Sequence, residues 1–309
     1  MNERVSNRCV VVGLEDGGQP AGTLMAAADE AERRGVGLAI VTVLRHRLEP
    51  GLSIQGFRHD QQRAQATALQ DLHAASASLH PSHPRLSVTT YCLGESEIAP
   101  DREPLSSGEL LVIGTHASLG RQALALESAG CLLLQNSRGP ILVVPDHLHP
   151  ATEVRPGKPP MILVGVSEHP SDIAVVRAAY AGSVGRGCEV LLLHAYSRRE
   201  GESGQQGRDR AQVLLDGFAA MAPAGTRVSV ALIEDDPAAA LFRLATEATL
   251  LVIGGRSGPA AALVRGSVSH AVLAAVPCPV LAVPRDLTAG PPAPLTGLTL
   301  VSVAKSEPV

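Results

Sequence analysis

The sequence predicts an α/β protein composed of two tandem, open, parallel five-stranded sheets with helices on both faces of each sheet. Short apolar runs alternate with helical segments along the chain, which favours parallel strands joined by right-handed crossovers. Three segments of the first half also return in the second half, in the same order and with similar gaps, which indicates two copies of one domain in 309 residues. The matched pairs are Cys9–Gly13 with Met161–Gly165, Glu109–Gly114 with Thr249–Gly254, and Gly139–Pro145 with Cys278–Pro284.

The elements of the first domain follow from runs typical of buried strands and from helix end signals. Most of its strands lack alternation, as expected where both faces of a sheet are covered. The first helix ends at Arg34-Gly35, a basic last turn followed by a glycine cap. The predicted strands are Val10–Gly13, Leu38–Leu44, Leu86–Leu93, Leu110–Gly114 and Ile141–Val144. The predicted helices are Ala21–Arg34, Phe57–His80, a short helix within Glu95–Leu105 that Pro100 and Pro104 interrupt, and Ser118–Gln135.

The second domain repeats this order. Its predicted strands are Ile162–Val166, Glu189–Tyr196, Arg227–Ile233, Leu250–Gly254 and Val280–Val283. Its predicted helices are Ser171–Val184, Gln205–Met221, Asp236–Thr246 and Val268–Ala275. The repeat and the Pro- and Gly-rich connections give the boundaries: a first domain over 1–150, a linker over 151–160, a second domain over 161–286 and a C-terminal tail over 287–309. Within the tail, Leu298–Val303 has a weak strand signal that the repeat does not explain.

Composition argues against several classes of protein. The chain has no Trp, three Phe, three Tyr and a formal net charge of -4, so neither base-stacking platforms nor a basic surface for nucleic acid is expected. It shows no signal peptide and no apolar stretch long enough to span a bilayer, so we expect a soluble, cytoplasmic protein with no membrane partner. The five cysteines are scattered and form no CxxC pair, as expected of reduced thiols.

The loop after the fourth strand of each domain is the strongest candidate for a binding site. In open parallel sheets, ligands bind outside the carboxyl ends of the strands, at the point where the strand order reverses. In the second domain this loop includes Gly254 and leads to Gly266-Ser267, at the start of the predicted last helix, where free backbone N–H groups favour an anion. The residues alone also allow a simpler interpretation, in which the glycines are turn residues and Ser267 is an N-cap.

This loop and the last strand resemble the universal stress protein family over nearly the whole chain, as two family domains in tandem. The family pattern G-x2-G-x9-G-[ST] is followed by a helix and a CPVLVV-like strand, matched here by the loop from Gly254 to Ser267 and by Cys278–Pro284. The opening strands and Leu193-His194-Ala195 extend the likeness. The resemblance implies a Rossmann-like, adenine nucleotide α-hydrolase-like fold and a non-catalytic stress-response module. Many members of that family bind ATP in this crevice, whereas others have lost the loop glycines and bind no nucleotide.

Both domains depart from the family pattern. In the second, Ser257 stands at the middle glycine and only eight residues separate it from Gly266; alternatively, Gly255 and Gly258 are the first pair, and seven residues remain. Ser167 stands where the family has Asp. In the first, Ala117 and Glu127 replace glycines of the loop, and a carboxylate beside phosphates repels them. The resemblance therefore implies that ATP or a related adenine nucleotide, with Mg²⁺, binds in the second domain only. The implied binding residues are Ser167, Ala195, Gly254, Ser257, Gly266, Ser267 and Val268.

Other polar residues suggest ordinary structural roles. The histidines of His80-Pro-Ser-His83 and His147-Leu-His149 are expected to be solvated loop residues, and His116 and His194 to line the crevices. The acidic run at Glu234–Pro237 is expected to cap a helix rather than bind Mg²⁺. Neither a G-x-S-x-G elbow nor a Walker P-loop occurs in the sequence. The loops after the first strands also do not match the SGGxDS-like loop of related enzymes such as ATP pyrophosphatases. We therefore expect that the protein is not an enzyme and has no protein-bound metal site.

The alternative function is a nucleotide-free protein–protein scaffold of the same fold, which the altered loops of both domains favour. For assembly, the last strand of each domain is a short apolar edge that needs covering. We therefore expect the two domains to pack as a pseudo-two-fold dimer within the chain, and we also consider a homodimer of chains. The segment Leu298–Val303 is a candidate to cover an edge or the partner chain.

Overall fold

The computed structural model describes residues 8–14, 21–44, 54–115, 129–145, 159–169, 172–183, 187–196, 204–255 and 277–284. The first half contains β1 (Cys9–Leu14), α1 (Ala21–Arg34), β2 (Gly37–Leu44), α2 (Ile54–Leu79), β3 (Val88–Gly94), β4 (Gly108–Thr115), α3 (Ala129–Asn136) and β5 (Ile141–Pro145). The second half contains β6 (Met161–Gly165), α4 (Asp172–Ser183), β7 (Glu189–Tyr196), α5 (Gly204–Ala219), β8 (Arg227–Glu234), α6 (Pro237–Ala245), β9 (Leu250–Gly255) and β10 (Val280–Pro284). Within the described ranges, no helix is long and apolar enough to cross a membrane.

The ten strands form one continuous sheet in the order β3-β2-β1-β4-β5-β10-β9-β6-β7-β8. Each half contributes five parallel strands with the same internal order, as the repeat predicts. The halves meet where β5 pairs antiparallel with β10, with Leu142 opposite Leu281. These two leucines are counterparts in the sequence repeat, so a local pseudo-two-fold axis passes between them. The predicted contact between the last strands is thus present, and it merges two open sheets into one.

The core lies in two layers, one on each face of the sheet, and each layer extends through both halves. One layer packs beneath α1, α2, α4 and α5 and includes Val12, Leu72 and Val176. The other packs beneath α3 and α6 and includes Leu133 and Leu241. Because helices cover both faces, the inner strands are buried along almost their whole length, which explains their unbroken apolar runs.

Most described elements lie within a few residues of their predicted bounds, and their end signals behave as expected. Gly35 has φ +64° and follows α1, and the N–H of Val36 donates to the carbonyl of Ala31, as in a glycine-capped helix end. The short helix expected within Glu95–Leu105 is a single 3₁₀ turn over Glu95–Glu97. Pro100 and Pro104 lack the N–H groups that a helix needs here.

Three other predictions lie partly or wholly outside the described residues. Of the helix predicted over Ser118–Gln135, the structure describes α3 (Ala129–Asn136). The helix predicted over Val268–Ala275 and the strand predicted over Leu298–Val303 fall entirely outside the described ranges.

Candidate functional site

A crevice opens at the carboxyl ends of β6, β7 and β9 in the second half of the sheet. It contains about 650 Å³ of empty space, which opens to solvent. The chain leaves β6 towards β7 on one side, whereas β9 lies on the other side of β6, so this is a point where the strand order reverses. The described residues that line it are Gly165, Val166, Ser167, Leu193, His194, Ala195, Pro237, Leu241, Ile253 and Gly254.

A glycine forms the floor of this crevice where β6 ends. A Cβ placed on Gly165 would lie 3.1 Å from Leu241 Cδ2 and 3.4 Å from Ile253 Cγ2, closer than most such contacts allow. Leu241 reaches this position because α6 begins at Pro237, directly after its N-cap Asp236. The absence of a side chain at Gly165 therefore leaves room at the bottom of the crevice, and Leu241 of α6 forms an apolar wall.

The loop after β6 is held by a buried carboxylate. Asp172 is 1% exposed and lies in the first turn of α4. Its Oδ2 accepts hydrogen bonds from the backbone N–H of Ser167 at 2.5 Å and from the Ser167 hydroxyl at 2.7 Å. The Ser167 hydroxyl oxygen in turn accepts from the N–H of His169 at 3.2 Å. The family's acidic residue is thus absent at position 167, but a carboxylate five residues later fixes the loop.

His194 forms part of the crevice wall at the end of β7, as the sequence predicts. Its side chain is 4% exposed, and its Nδ1 lies 3.0 Å from the carbonyl oxygen of Val166. The N–H of Val166 donates to the carbonyl of Leu193 at 2.9 Å, so the end of β7 and the loop after β6 are joined by two hydrogen bonds. These bonds fix the position of the imidazole relative to the loop.

Three of the seven predicted binding residues meet in this crevice: Ser167, Ala195 and Gly254. The other four predicted residues, Ser257, Gly266, Ser267 and Val268, lie outside the described residues. Sequence reasoning missed the role of Asp172, although an Asp at the start of a helix that follows the first strand is a recognisable signal.

Comparison with known proteins is consistent with this geometry. The family model described as "Universal stress protein family" matches residues 161–284. A universal stress protein of Mycobacterium tuberculosis is 26% identical over 323 aligned positions, which cover 93% of this chain and 98% of that protein. Residues 161–284 therefore match the universal stress protein family, and the chain as a whole is similar to curated universal stress proteins.

Solved structures of universal stress proteins share the fold. One from Archaeoglobus fulgidus has a TM-score of 0.58 and 18% identity, and the match covers 91% of this chain and 98% of that chain. A putative universal stress protein from Pseudomonas aeruginosa has a TM-score of 0.57 and 17% identity, with 91% and 94% covered. Both alignments span the two halves of this chain, so the fold of both halves is shared with them.

The first half of the chain differs from the second half at the positions that match the crevice. The strand registers place Thr42 and Val43 of β2 where β7 has His194 and Ala195. Val43 is buried, and a Cβ placed on Gly13, the counterpart of Gly165, would lie 2.9 Å from Leu133 Cδ1 of α3. A larger side chain therefore stands at the position of Ala195, and Leu133 packs over the matching floor.

The other polar residues considered in the sequence analysis have structural roles where the structure describes them. His83 is 5% exposed, so the expectation of a solvated histidine is wrong for this residue; its Nε2 lies 3.0 Å from Asp29 Oδ1. Asp236 caps α6 by accepting from the N–H of Ala239 at 3.0 Å, which confirms the capping interpretation. In the part of the chain that the structure describes, no group of three or more His, Cys, Asp or Glu residues could hold a metal ion.

Cys9, Cys92 and Cys278 have raised thiol pKa values. Burial raises the pKa of Cys278 to about 12 and also raises the pKa values of Cys9 and Cys92. A raised pKa keeps these thiols protonated near neutral pH, whereas reactive cysteines need the thiolate. His116, His147 and His149 lie outside the described residues.

Proposed function

We propose that this protein binds an adenine nucleotide, with ATP as the first choice, in the crevice of its second half, and that it does so without turning the nucleotide over. The observation that carries the proposal is the meeting of Ser167, Ala195 and Gly254 at a single crevice beside the point where strand order reverses. These residues come from three separate strand ends. The family resemblance assigns all three to the nucleotide.

The described walls suit the nucleoside end of such a ligand. Val166, Leu193, Ala195, Leu241 and Ile253 offer apolar contacts to a flat base, and the described lining contains no cation. The phosphates and their Mg²⁺ would then be held by Ser257, Gly266, Ser267 and Val268, as the resemblance implies. Glycine and hydroxyl residues that precede a predicted helix suit phosphate oxygens.

The hydrogen bonds of the Ser167 hydroxyl support binding without hydrolysis of the nucleotide. Ser167 donates its hydroxyl proton to Asp172 and accepts from the loop backbone, so its hydrogen bonds stabilise the loop itself. The sequence also carries neither a G-x-S-x-G elbow nor a Walker P-loop, and no group of three or more His, Cys, Asp or Glu residues in the described ranges could hold a metal ion. We therefore expect no release of phosphate from ATP.

The test is a calorimetric titration of ATP into the full chain, with and without Mg²⁺, together with an assay for released phosphate. We expect one site per chain. Ala195→Val copies the first-half residue into the crevice, and we expect it to weaken binding about tenfold, which corresponds to about 1.4 kcal/mol. The reciprocal exchange Val43→Ala in the first half is the matched control, and we expect it to leave the affinity unchanged.

A second variant tests the phosphate end from the sequence alone. Gly266→Glu introduces the carboxylate that the first half carries at Glu127, and we expect it to abolish ATP binding. Absence of binding by the wild-type protein at millimolar ATP would contradict the proposal. The nucleotide-free scaffold, which the altered loops favour, would then be the better account.

A further inference from the structure

We propose that Asp172 is a positioning residue for nucleotide binding, which fixes the backbone of Ser167 at the crevice without touching the ligand itself. This inference rests on the proposed function and adds to the same site a residue that the family resemblance left unassigned. Ser167 is one of the residues that line the described crevice, and Asp172 is not. The carboxylate therefore acts on the ligand through the loop after β6.

Asp172 holds Ser167 by two hydrogen bonds to a single oxygen. The backbone N–H of Ser167 donates to Oδ2 at 2.5 Å, and the Ser167 hydroxyl donates to the same atom at 2.7 Å. Asp172 is 1% exposed, so little water competes for this oxygen. Hydrogen bonds to a carboxylate are also stronger than those between neutral groups. Both the backbone and the side chain of the crevice residue are thus anchored to α4.

The hydroxyl of Ser167 is used within the loop. Its one proton is donated to Asp172, and its oxygen accepts from the N–H of His169 at 3.2 Å. A hydroxyl that donates its proton to a carboxylate has no donor left for a nucleotide. We therefore assign the contribution of Ser167 to the position of its backbone, which Asp172 determines.

The loop residues before and after this serine are tied to two further elements. The imidazole of His194, on β7, bonds the carbonyl oxygen of Val166, with 3.0 Å between Nδ1 and that oxygen. Arg210 of α5 pairs with Glu168, with 2.9 Å between Nε and Oε1. Both side chains of that ion pair are more than one-third exposed, and such pairs contribute little. Asp172 makes the buried contact with two bonds, so its loss should move the loop most.

The first half of the chain lacks this pair of residues. The glycine near the end of the first strand and the glycine with φ +64° after the first helix have the same spacing in both halves, so the segment between them aligns without a gap. In that alignment Glu15 stands in place of Ser167, and Pro20 stands in place of Asp172. Proline has no side-chain acceptor. The proposed anchor therefore belongs to the second half, the same half to which the nucleotide is assigned.

Calorimetric titrations of ATP and of adenosine into the full chain test the positioning role. We expect Asp172→Ala to weaken binding about tenfold, because a loop released from its anchor must be ordered again when the ligand binds. Asp172→Asn keeps one acceptor oxygen and is expected to weaken binding less. Adenosine has no phosphate, so an effect of the carboxylate charge would appear with ATP alone, whereas a displaced loop lowers both affinities by the same factor. Unchanged affinities in Asp172→Ala, or a loss confined to one of the two ligands, would overturn the inference.

Tyr180→Phe is the matched control on the same helix. The hydroxyl of Tyr180 donates to the carbonyl of Phe218 at 2.8 Å in a buried position, so its removal destabilises α4 away from the loop. We expect a lower Tm and an unchanged affinity for ATP. Equal weakening by Tyr180→Phe and Asp172→Asn would show that any loss of α4 stability weakens binding, and it would overturn the positioning role. Thermal unfolding checks that each variant is folded at the temperature of the titration.

Ser167→Ala completes a double-mutant cycle with Asp172→Ala. It removes the hydroxyl and keeps the backbone bond, so we expect it to weaken ATP binding about threefold. In the Asp172→Ala background the same change is expected to have no further effect, because both substitutions act through one contact. Additive losses would mean that the hydroxyl binds the nucleotide directly, and they would overturn the inference.

Hydrogen exchange tests the anchor without any ligand. The backbone amide of Ser167 is expected to exchange slowly in the wild type and in Tyr180→Phe, and faster in Asp172→Asn and Asp172→Ala. Fast exchange of this amide in the wild type would overturn the inference whatever the variants bind. If the wild type binds no nucleotide, the proposed function fails together with this inference, whereas ATP binding that is insensitive to Asp172→Ala removes only the inference.

Discussion

At the residue scale, a few hydrogen bonds hold the loop that borders the crevice. Asp172 is almost completely buried, and one of its oxygens accepts two hydrogen bonds from Ser167. The loop after β6 also receives the bond from His194 to Val166. These contacts connect α4, β6 and β7, so a change at one of them should reach the others through the loop.

Asp172→Ala is expected to lower the free energy of unfolding by about 2–3 kcal/mol, because it leaves the N–H and the hydroxyl of Ser167 without their acceptor. Asp172→Asn keeps one acceptor oxygen and is expected to lower it less. Denaturant unfolding measures both. A loss below about 0.5 kcal/mol for Asp172→Ala would show that the loop finds other partners.

At the residue scale, the resemblance pointed to positions that the fold brings together. Ser167 follows β6, Ala195 and Gly254 lie near the ends of β7 and β9, and all three line the crevice. Asp172 and His83 were not predicted, because their roles depend on contacts across elements. His83 meets Asp29 of α1 after the whole of α2 has intervened, and no local spacing reveals that contact.

At the element scale, the two halves differ most in the segment before the fourth strand. In the second half this segment is α6, which starts with the N-cap Asp236 followed by Pro237 and supplies Leu241 to the crevice. In the first half the same segment contains prolines at 100 and 104 and forms only a 3₁₀ turn over Glu95–Glu97. Proline favours a helix at its first position and disrupts one further in, so its position within the segment explains the difference.

The cap of α6 gives a prediction with a matched control in the adjacent residue. Asp236→Ala removes the side-chain acceptor for the N–H of Ala239 and is expected to cost about 1 kcal/mol of unfolding free energy. Asp235→Ala removes the exposed ion pair with Arg243, at 3.1 Å, and an exposed hydrogen bond from the N–H of Asp236, at 2.8 Å, and it is expected to cost less than Asp236→Ala because water can replace both contacts. Denaturant unfolding of both variants distinguishes them, and equal losses would contradict the assigned cap.

The cap should also influence the crevice, since Leu241 stands on α6 next to Gly165. The sequence predicted α6 because its start signal is local: an acidic residue followed by proline. It could not predict that α6 would form the crevice wall, because that depends on how the helix packs against the sheet. The sequence therefore predicted that a helix forms here, but not where that helix packs.

At the scale of the whole molecule, two halves with different sequences are related by a pseudo-two-fold axis. The two core layers continue across the junction of β5 and β10, so both halves share one sheet. Leu142 and Leu281 are repeat counterparts and face each other at this junction. An arrangement of this kind permits one half to keep an open crevice, while the other half differs at the matching positions and still covers the edge strand of its neighbour.

This symmetry predicts the oligomeric state of the second half when it is expressed without the first. A chain that starts at residue 159 leaves β10 as an uncovered edge with Val280, Leu281 and Ala282, and such edges pair with other strands. We expect it to form a homodimer in which Leu281 lies opposite Leu281 of the second copy, as Leu142 does in the full chain. Analytical ultracentrifugation should show a dimer that Leu281→Lys converts to a monomer, because a charge in the centre of the pairing opposes its own copy. A well-folded monomer without that substitution would mean that the β10 edge has little tendency to pair, and the antiparallel junction would then owe its stability to the covalent linkage of the halves.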